Sequence, residues 1–269
     1  MTPAEPAREH EIERPDGARI HWTERGSGQA VVILPALWSP PNIYAGLTED
    51  LIRDRRVITY DPRGCGSSTA DGPYDVGIDA ADLEAVLDQA GSAAVAIGVG
   101  DGLNRAARVA RRRPDLIHRL VAIAPSPAAI LPRSELVGAD VMGASESVVD
   151  MLLSLLDADP RTALRTMISA INPNLDERRL RERVESITGY VSTEAAAARA
   201  RAWIADDVRE DLRGLGDRLS IFFGGPDPLF EGALAQRFAE LFPGARAEEV
   251  ADGPVSRPDL TAARIRSLI

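Results

Sequence analysis

The side chains able to do chemistry are few. The chain has one cysteine, Cys65, and three histidines, His10, His21 and His118. It has no lysine, so all 31 Lys/Arg-type cations are arginines. Schiff-base chemistry and a covalently held pyridoxal cofactor are thereby excluded. A lone cysteine excludes an intramolecular disulfide. The histidines are far apart and no Cys/His cluster has zinc-ligand spacing, so neither a metal nor a cofactor is expected. As a nucleophile, Cys65 would need a base or a positive field. Arg63 is close in sequence, but no histidine is placed to help, and the favoured reading is a small buried residue. His118 falls in a Pro-Asp-Leu-Ile-His-Arg turn, facing water or the next strand, while His10 and His21 belong to an outer hairpin. None of the three makes a persuasive base, because geometry comes before pKa.

The elements that must position any site read as alternating strands and helices. His10–Arg14 and Ala18–Gly26 alternate around a Pro-Asp-Gly turn, as in a β-hairpin. A continuous apolar run, AVVILPAL over 30–37, suits a parallel strand covered on both faces. Further strands are expected over 55–61, 93–100, 120–125, 218–225 and 246–251, and helices near 42–54, 77–90, 103–113, 231–242 and 260–269. Residues 126–217 change character and are helical in pattern throughout; AAAARARA, 195–202, reads as plain helix. Such alternation implies an α/β fold with a mostly parallel sheet and right-handed crossovers. The expected organisation is a core of residues 1–125 and 218–269, with 126–217 inserted as a helical lid over the C-terminal edge of the sheet. Ligands of open α/β sheets bind at that edge.

Length and charge bound the function. A chain of 269 residues suits one α/β domain with an insertion. Aromatics are only 4% of it, so the core must be built from Ala, Val, Leu and Ile. The net charge of -10 argues against a nucleic-acid partner. The one basic run, Arg111-Arg112-Arg113, ends a helix, where cations suit the dipole. No apolar run reaches membrane-spanning length, and MTPAEPAREHEIERPDG has no apolar stretch of the kind that directs secretion. The expectation is a soluble cytoplasmic protein with a small-molecule ligand or substrate and no membrane partner.

Several segments together resemble one family. Asp61-Pro62-Arg63-Gly64-Cys65-Gly66-Ser67-Ser68 looks like the D-x-R-G-x-G-x-S loop of the α/β hydrolases. AVVILPALWSPPNIYAGL sits where that family has a strand, the oxyanion loop and the first helix, and VAIGVGDGLNRAARVARRRPDLIHRLVAIAP follows its nucleophile elbow, helix and next strand. IFFGGPDPLF and VADGPVSRPDLTAARI resemble the segments that carry the acid and the histidine. The resemblance covers nearly the whole chain outside the 126–217 insertion. It implies an α/β-hydrolase fold with an N-terminal hairpin and an inserted helical lid.

The departures from the family matter more than the matches. Against G-x-S-x-G the chain has Gly98, Val99, Gly100, Asp101 and Gly102, so the resemblance puts Gly100 at the nucleophile position. It puts Pro254 at the histidine position, where proline can neither accept nor donate a proton. The acid position is kept as Asp227, and the family's His-Gly pair becomes Pro35 and Ala36. Backbone N–H groups of Leu37 or Trp38, with that of Asp101, could still form an oxyanion hole. Asp101 as a displaced nucleophile would need Val99 and Leu103 at the small flanking positions, which is sterically unfavourable. In the unshifted register Asp101 starts a helix, favoured by dipole and free N–H groups, or serves as a base or substrate-binding carboxylate. Asp227 either braces its loop or is a free carboxylate under the lid. Trp38, Tyr190 and Trp203 line the pocket or belong to the core.

Ser–His–Asp acyl transfer needs a nucleophile and a base, and both are missing by this alignment. What remains can polarise a carbonyl and move a proton without a covalent intermediate. The first of two main readings is favoured, because the small flanks of the elbow and Asp227 persist, and an ordinary hydrolase with unconventional catalytic groups is kept as a third. One is a non-covalent enzyme, a lyase, isomerase, cyclase or cofactor-independent hydrolase of a small apolar carbonyl compound, with Asp101 or Asp227 as base. The other is a catalytically inactive protein that keeps the pocket to bind a ligand or partner.

Overall fold

In a covered parallel sheet successive side chains point to opposite faces, and both faces must be apolar. The strand β3 (Ala30–Leu34) meets that demand, with all five residues buried. In the computed structural model Val31 and Ile33 pack into one hydrophobic cluster and Val32 and Leu34 into another. The structure describes residues 6–268 apart from 37, 70, 92–93, 124, 126–150, 152–153, 172–174, 224–231, 252–253 and 255–256.

The remaining strands are β1 (Arg8–Glu13), β2 (Arg19–Arg25), β4 (Arg56–Tyr60), β5 (Ala94–Val99), β6 (Ile117–Ile123), β7 (Leu219–Phe223) and β8 (Arg246–Glu249). They form one sheet in the order β1-β2-β4-β3-β5-β6-β7-β8. The pairings β1–β2 and β2–β4 are antiparallel, and all others are parallel. This is the α/β-hydrolase fold, with the hairpin at one edge. Both edges are charged, REHEIE on β1 and RAEE on β8, which discourages edge-to-edge pairing.

Helices α1 (Ala45–Leu51), α2 (Val76–Ala90) and α3 (Gly102–Arg112) join the first strands. Between β6 and β7 lie α4 (Pro160–Ile171), α5 (Glu177–Thr188), α6 (Thr193–Ala205) and α7 (Arg209–Arg213). Helices α8 (Gly232–Leu241) and α9 (Pro258–Arg266) complete the chain. One face of the sheet is covered by α2 and α3, through Leu83, Val86, Leu103 and Val109. The other is covered by α1 and α9, through Leu47, Leu51, Ala262 and Ile265. Element boundaries match the sequence patterns within a few residues. Strand β6 starts at Ile117 rather than near 120 and so takes His118 into a strand as an exposed residue.

Helices α4–α6 make a third apolar cluster, which includes Trp38 from the loop after β3 and Cys65 from the loop after β4. The attachment is reinforced by backbone. Cys65 forms a bridge with Val191, Gly66 N donates to Tyr190 O at 2.7 Å, and Ser192 N donates to Gly64 O at 3.3 Å. Charge also crosses the seam. Arg199 of α6 donates from Nη1 and Nη2 to the two carboxylate oxygens of Asp79 on α2, at 2.9 and 2.6 Å. Both side chains are at most one-tenth exposed. A buried pair contributes little over an apolar substitute, but losing one partner strands a charge in the interior. Asp79→Ala is therefore expected to destabilise the fold by about 3–5 kcal/mol, measured as a urea-unfolding midpoint. The double change Asp79→Leu with Arg199→Met should recover most of that loss. A single-variant cost below about 1 kcal/mol would mean that water reaches the pair.

Candidate functional site

The turn from β5 into α3 is built by glycines whose missing side chains are required. A Cβ on Gly98 would lie 2.6 Å from Leu103 Cα, and one on Gly102 would lie 2.4 Å from Leu34 O. Real contacts are never that short, so α3 sits as close to β3 and β5 as it does only because both residues are glycine. Between them Gly100 forms the apex with φ +53°, a conformation that favours glycine. Its N–H donates to Ile123 O at 3.0 Å, and its carbonyl accepts from Leu103 N at 3.2 Å. A Cβ built on Gly100 would come 3.2 Å from the methyl of Ala36, so the loop after β3 closes directly over the apex.

Asp101 follows the apex with φ -70° and ψ -14°, already helical. The apex conformation belongs to Gly100, and this disfavours the displaced register with Asp101 as nucleophile. Asp101 also makes no side-chain cap to α3, contrary to the expectation that it holds the helix start. The reason is its backbone, because a capping residue needs extended rather than helical dihedrals. Arg105, with a side chain only 3% exposed, donates from Nη1 to Asp101 Oδ2 at 3.2 Å. Its Nη2 donates to Pro35 O at 2.6 Å, which ties α3 to the loop after β3. The i,i+4 spacing puts the two charges on one helix face.

The other expected site residues are distributed as follows. Trp38 is buried with φ +62°, the one non-glycine positive φ among the described residues, and its Nε1 donates to Ala196 O of α6 at 2.9 Å. Ala36 N donates to the hydroxyl of Tyr44 at 3.3 Å. Burial pushes that phenol's pKa up, and the charge of Asp101 adds to the effect. Pro254 is buried, and its carbonyl accepts from Thr261 Oγ1 at 2.7 Å. Leu37 and Asp227 lie outside the described residues. Tyr190 donates to Asp61 Oδ1 at 2.9 Å.

Around Asp101 lies a cleft between α2, α3 and α6 with room for about one water molecule. It is lined by Tyr74, Asp79, Asp101, Arg105, Arg199 and Trp203, among others. The two arginines are not among the site residues that the sequence suggests. The Asp101–Arg105 spacing is a usable signal, whereas Arg199 pairs with a residue 120 positions away. A second unforeseen contact joins His21 Nδ1 to Asp61 Oδ2 at 3.1 Å, so one hairpin histidine helps to brace the Asp61–Ser68 loop. Among the described residues no group of three or more His, Cys, Asp or Glu side chains could hold a metal ion, and no helix is long and apolar enough to cross a membrane.

The sequence family described as alpha/beta hydrolase fold matches residues 29–254. The chain belongs to that family. It is 26% identical over 236 residues to "Putative carbamate hydrolase RutD" of Caulobacter sp. (strain K31), covering 84% of this chain and 83% of that protein. A 114-residue stretch, 42% of this chain, is 35% identical to polyketide synthase ThaQ of Burkholderia thailandensis, of which it spans 6%. Among solved structures this α/β hydrolase is similar to an esterase from Exiguobacterium antarcticum. That likeness has a TM-score of 0.80 and 21% identity, and covers 96% of this chain and 97% of the esterase.

Cys65 is 3% exposed, and burial away from water pushes its thiol up to about 12. At pH 8 it is therefore a neutral, shielded thiol, which is the wrong form for a nucleophile. Its pKa is higher in the fold than the ordinary value of about 9. Its contribution to stability is thus complete below that value and is lost as pH rises toward 12. Mass spectrometry after iodoacetamide treatment at pH 8 should find Cys65 unmodified in the native protein and alkylated in urea. Native alkylation at a rate like that of the unfolded chain would show an accessible thiolate.

Proposed function

We propose that this α/β hydrolase binds a small carbonyl compound at the C-terminal edge of its sheet and performs no covalent acyl transfer. The observation that carries this is the apex of the strand-to-helix turn, where Gly100 has no side chain and the Ala36 methyl closes the space above it. Family resemblance makes Gly100 the nucleophile position and Pro254 the histidine position. Attack on an acyl carbon needs a nucleophile and a base to activate it. The carbonyl class is supported by the relatives, one named for carbamate hydrolysis and one an esterase, since carbamates and esters are both carbonyl compounds.

Binding without turnover is the reading that the geometry favours. The carboxylate nearest the apex, Asp101, is engaged by the buried Arg105 and so is poorly placed to take a proton from a ligand. A non-covalent enzyme is the second reading. It draws on Asp101 lining the cleft and on Asp227, which the resemblance puts at the acid position. In that case Asp227 is the base, and helices α4–α6 act as a lid that excludes water.

The purified chain should acquire no adduct from a fluorophosphonate, by intact mass, and should hydrolyse p-nitrophenyl acetate no faster than the unfolded protein. An adduct would overturn the absence of covalent chemistry. Ester turnover that disappears in Asp227→Asn would instead establish the second reading. Native mass spectrometry of the freshly isolated protein should show a small ligand retained through purification.

A further inference from the structure

Helix α6 and the turn before it are bonded to the core along their whole length. Tyr190 donates its hydroxyl to Asp61 Oδ1 at 2.9 Å, and its carbonyl accepts from Gly66 N at 2.7 Å. Ser192 N donates to Gly64 O, Ala196 O accepts from Trp38 Nε1, and Arg199 holds Asp79. At the far end Asp206 accepts from Asn104 Nδ2 at 2.9 Å and from Arg108, both on α3. Gly64 lies so close to α6 that a Cβ on it would come 2.3 Å from the methyl of Ala195.

Helices α4 and α5 are tied to each other instead. Arg165 of α4 donates from Nη1 and Nη2 to the two carboxylate oxygens of Glu177 on α5, both at 2.7 Å, and Arg161 lies 3.9 Å from Glu185. Among the described residues no side-chain hydrogen bond or ion pair joins either helix to the sheet or to α1–α3. What they share with the core is apolar, since Leu164, Leu180, Val184 and Ile187 belong to one cluster with Trp38 and Cys65. The chain entering α4 meets α6 through Asp157 and Arg201, an exposed pair of small worth. Apolar contact is non-directional and lets packed surfaces part or slide, whereas a bidentate pair accepts one geometry.

Trp38 stands on the boundary between the two parts. Its φ of +62° lies in the left-handed region, which is costly for a bulky side chain. It is held there by its bond to α6 and by the apolar cluster it shares with α4 and α5. Strain of this kind persists only where the surroundings over-determine it, and it gathers at clamps and switches.

We propose that α4–α6 is two bodies: α6 is a fixed wall of the core, and α4–α5 is a flap that pivots at Gly189, between the end of α5 and the pinned Tyr190. Hinges are a few residues at the ends of elements, and Gly189 is exposed and follows the last turn of α5. Lifting the flap uncovers Trp38, lets its backbone relax, and opens the C-terminal edge of the sheet from that side. The small cleft between α2, α3 and α6 stays shut, because its walls do not move. The motion is a property of the fold and does not depend on the ligand-binding reading above.

Double electron–electron resonance on the full chain, in a Cys65→Ala background, tests this with two pairs of spin labels. Asp88→Cys on α2 with Arg181→Cys on α5 reports the flap, and Asp88→Cys with Glu194→Cys reports α6; all of these positions are exposed. The flap pair should show a second, longer distance and the α6 pair a single one. A single distance for both pairs would leave the flap fixed and overturn the proposal. A second distance for both would mean that α4–α6 moves as one body, which overturns it equally. Fluorine NMR of the protein labelled with fluorotryptophan, assigned through Trp38→Phe, checks the motion without a change to either helix. Trp38 should exchange between two environments, while Trp22, bonded to Gln89 at the sheet, shows one. A single environment for Trp38 would overturn its place at the moving boundary.

Discussion

Everything at the C-terminal edge of the sheet depends on how closely α3 approaches β3. Gly102 lies against the carbonyl of Leu34, and Gly98 lies against the backbone of Leu103, at separations no side chain would allow. That approach brings Arg105 within reach of Pro35 O and fixes the loop that runs over Gly100. The same contact sets where Asp101 begins the helix, and hence which cleft it faces. The strain of the apex is small because Gly100 tolerates a positive φ at little steric cost.

Helices α4–α6 are fixed to this edge by a different kind of interaction. Backbone bonds from Gly66 and Ser192 join it to the loop after β4, and Trp38 Nε1 reaches across to α6. These bonds satisfy groups that burial would otherwise leave unpaired. The Arg199–Asp79 pair is worth little as net stability, since both charges lose water to form it. Its effect is on register, because a bidentate arginine accepts one orientation of α6 over α2. The walls of the cleft are set by that pairing.

Much of the fold is legible in the sequence because it depends on local period and on residues with unusual backbone needs. The all-apolar run 30–34, the hairpin turn at 15–17 and the glycines at 98, 100 and 102 each demand their structure within a few residues. The Ala-rich stretch 195–202 is helix, as its propensity requires. The candidate site is legible only in part. Sequence points to Asp101 and places it at the start of α3, but as a cap; its backbone is already helical, which removes the cap, and its side chain pairs with Arg105 one turn on. Arg199 with Asp79, and His21 with Asp61, are 120 and 40 residues apart. No local pattern marks such pairs, because topology alone brings them together.

Residues required by the fold carry no message about activity. The small residues flanking the apex look like relics of a working site, yet their steric role is to let α3 pack against β3 and β5. A chain with no chemistry at Gly100 would still need them to fold, so their presence says nothing for catalysis. The same is true of the Asp61 loop, whose carboxylate accepts from Ser67 N and Tyr190 and faces His21.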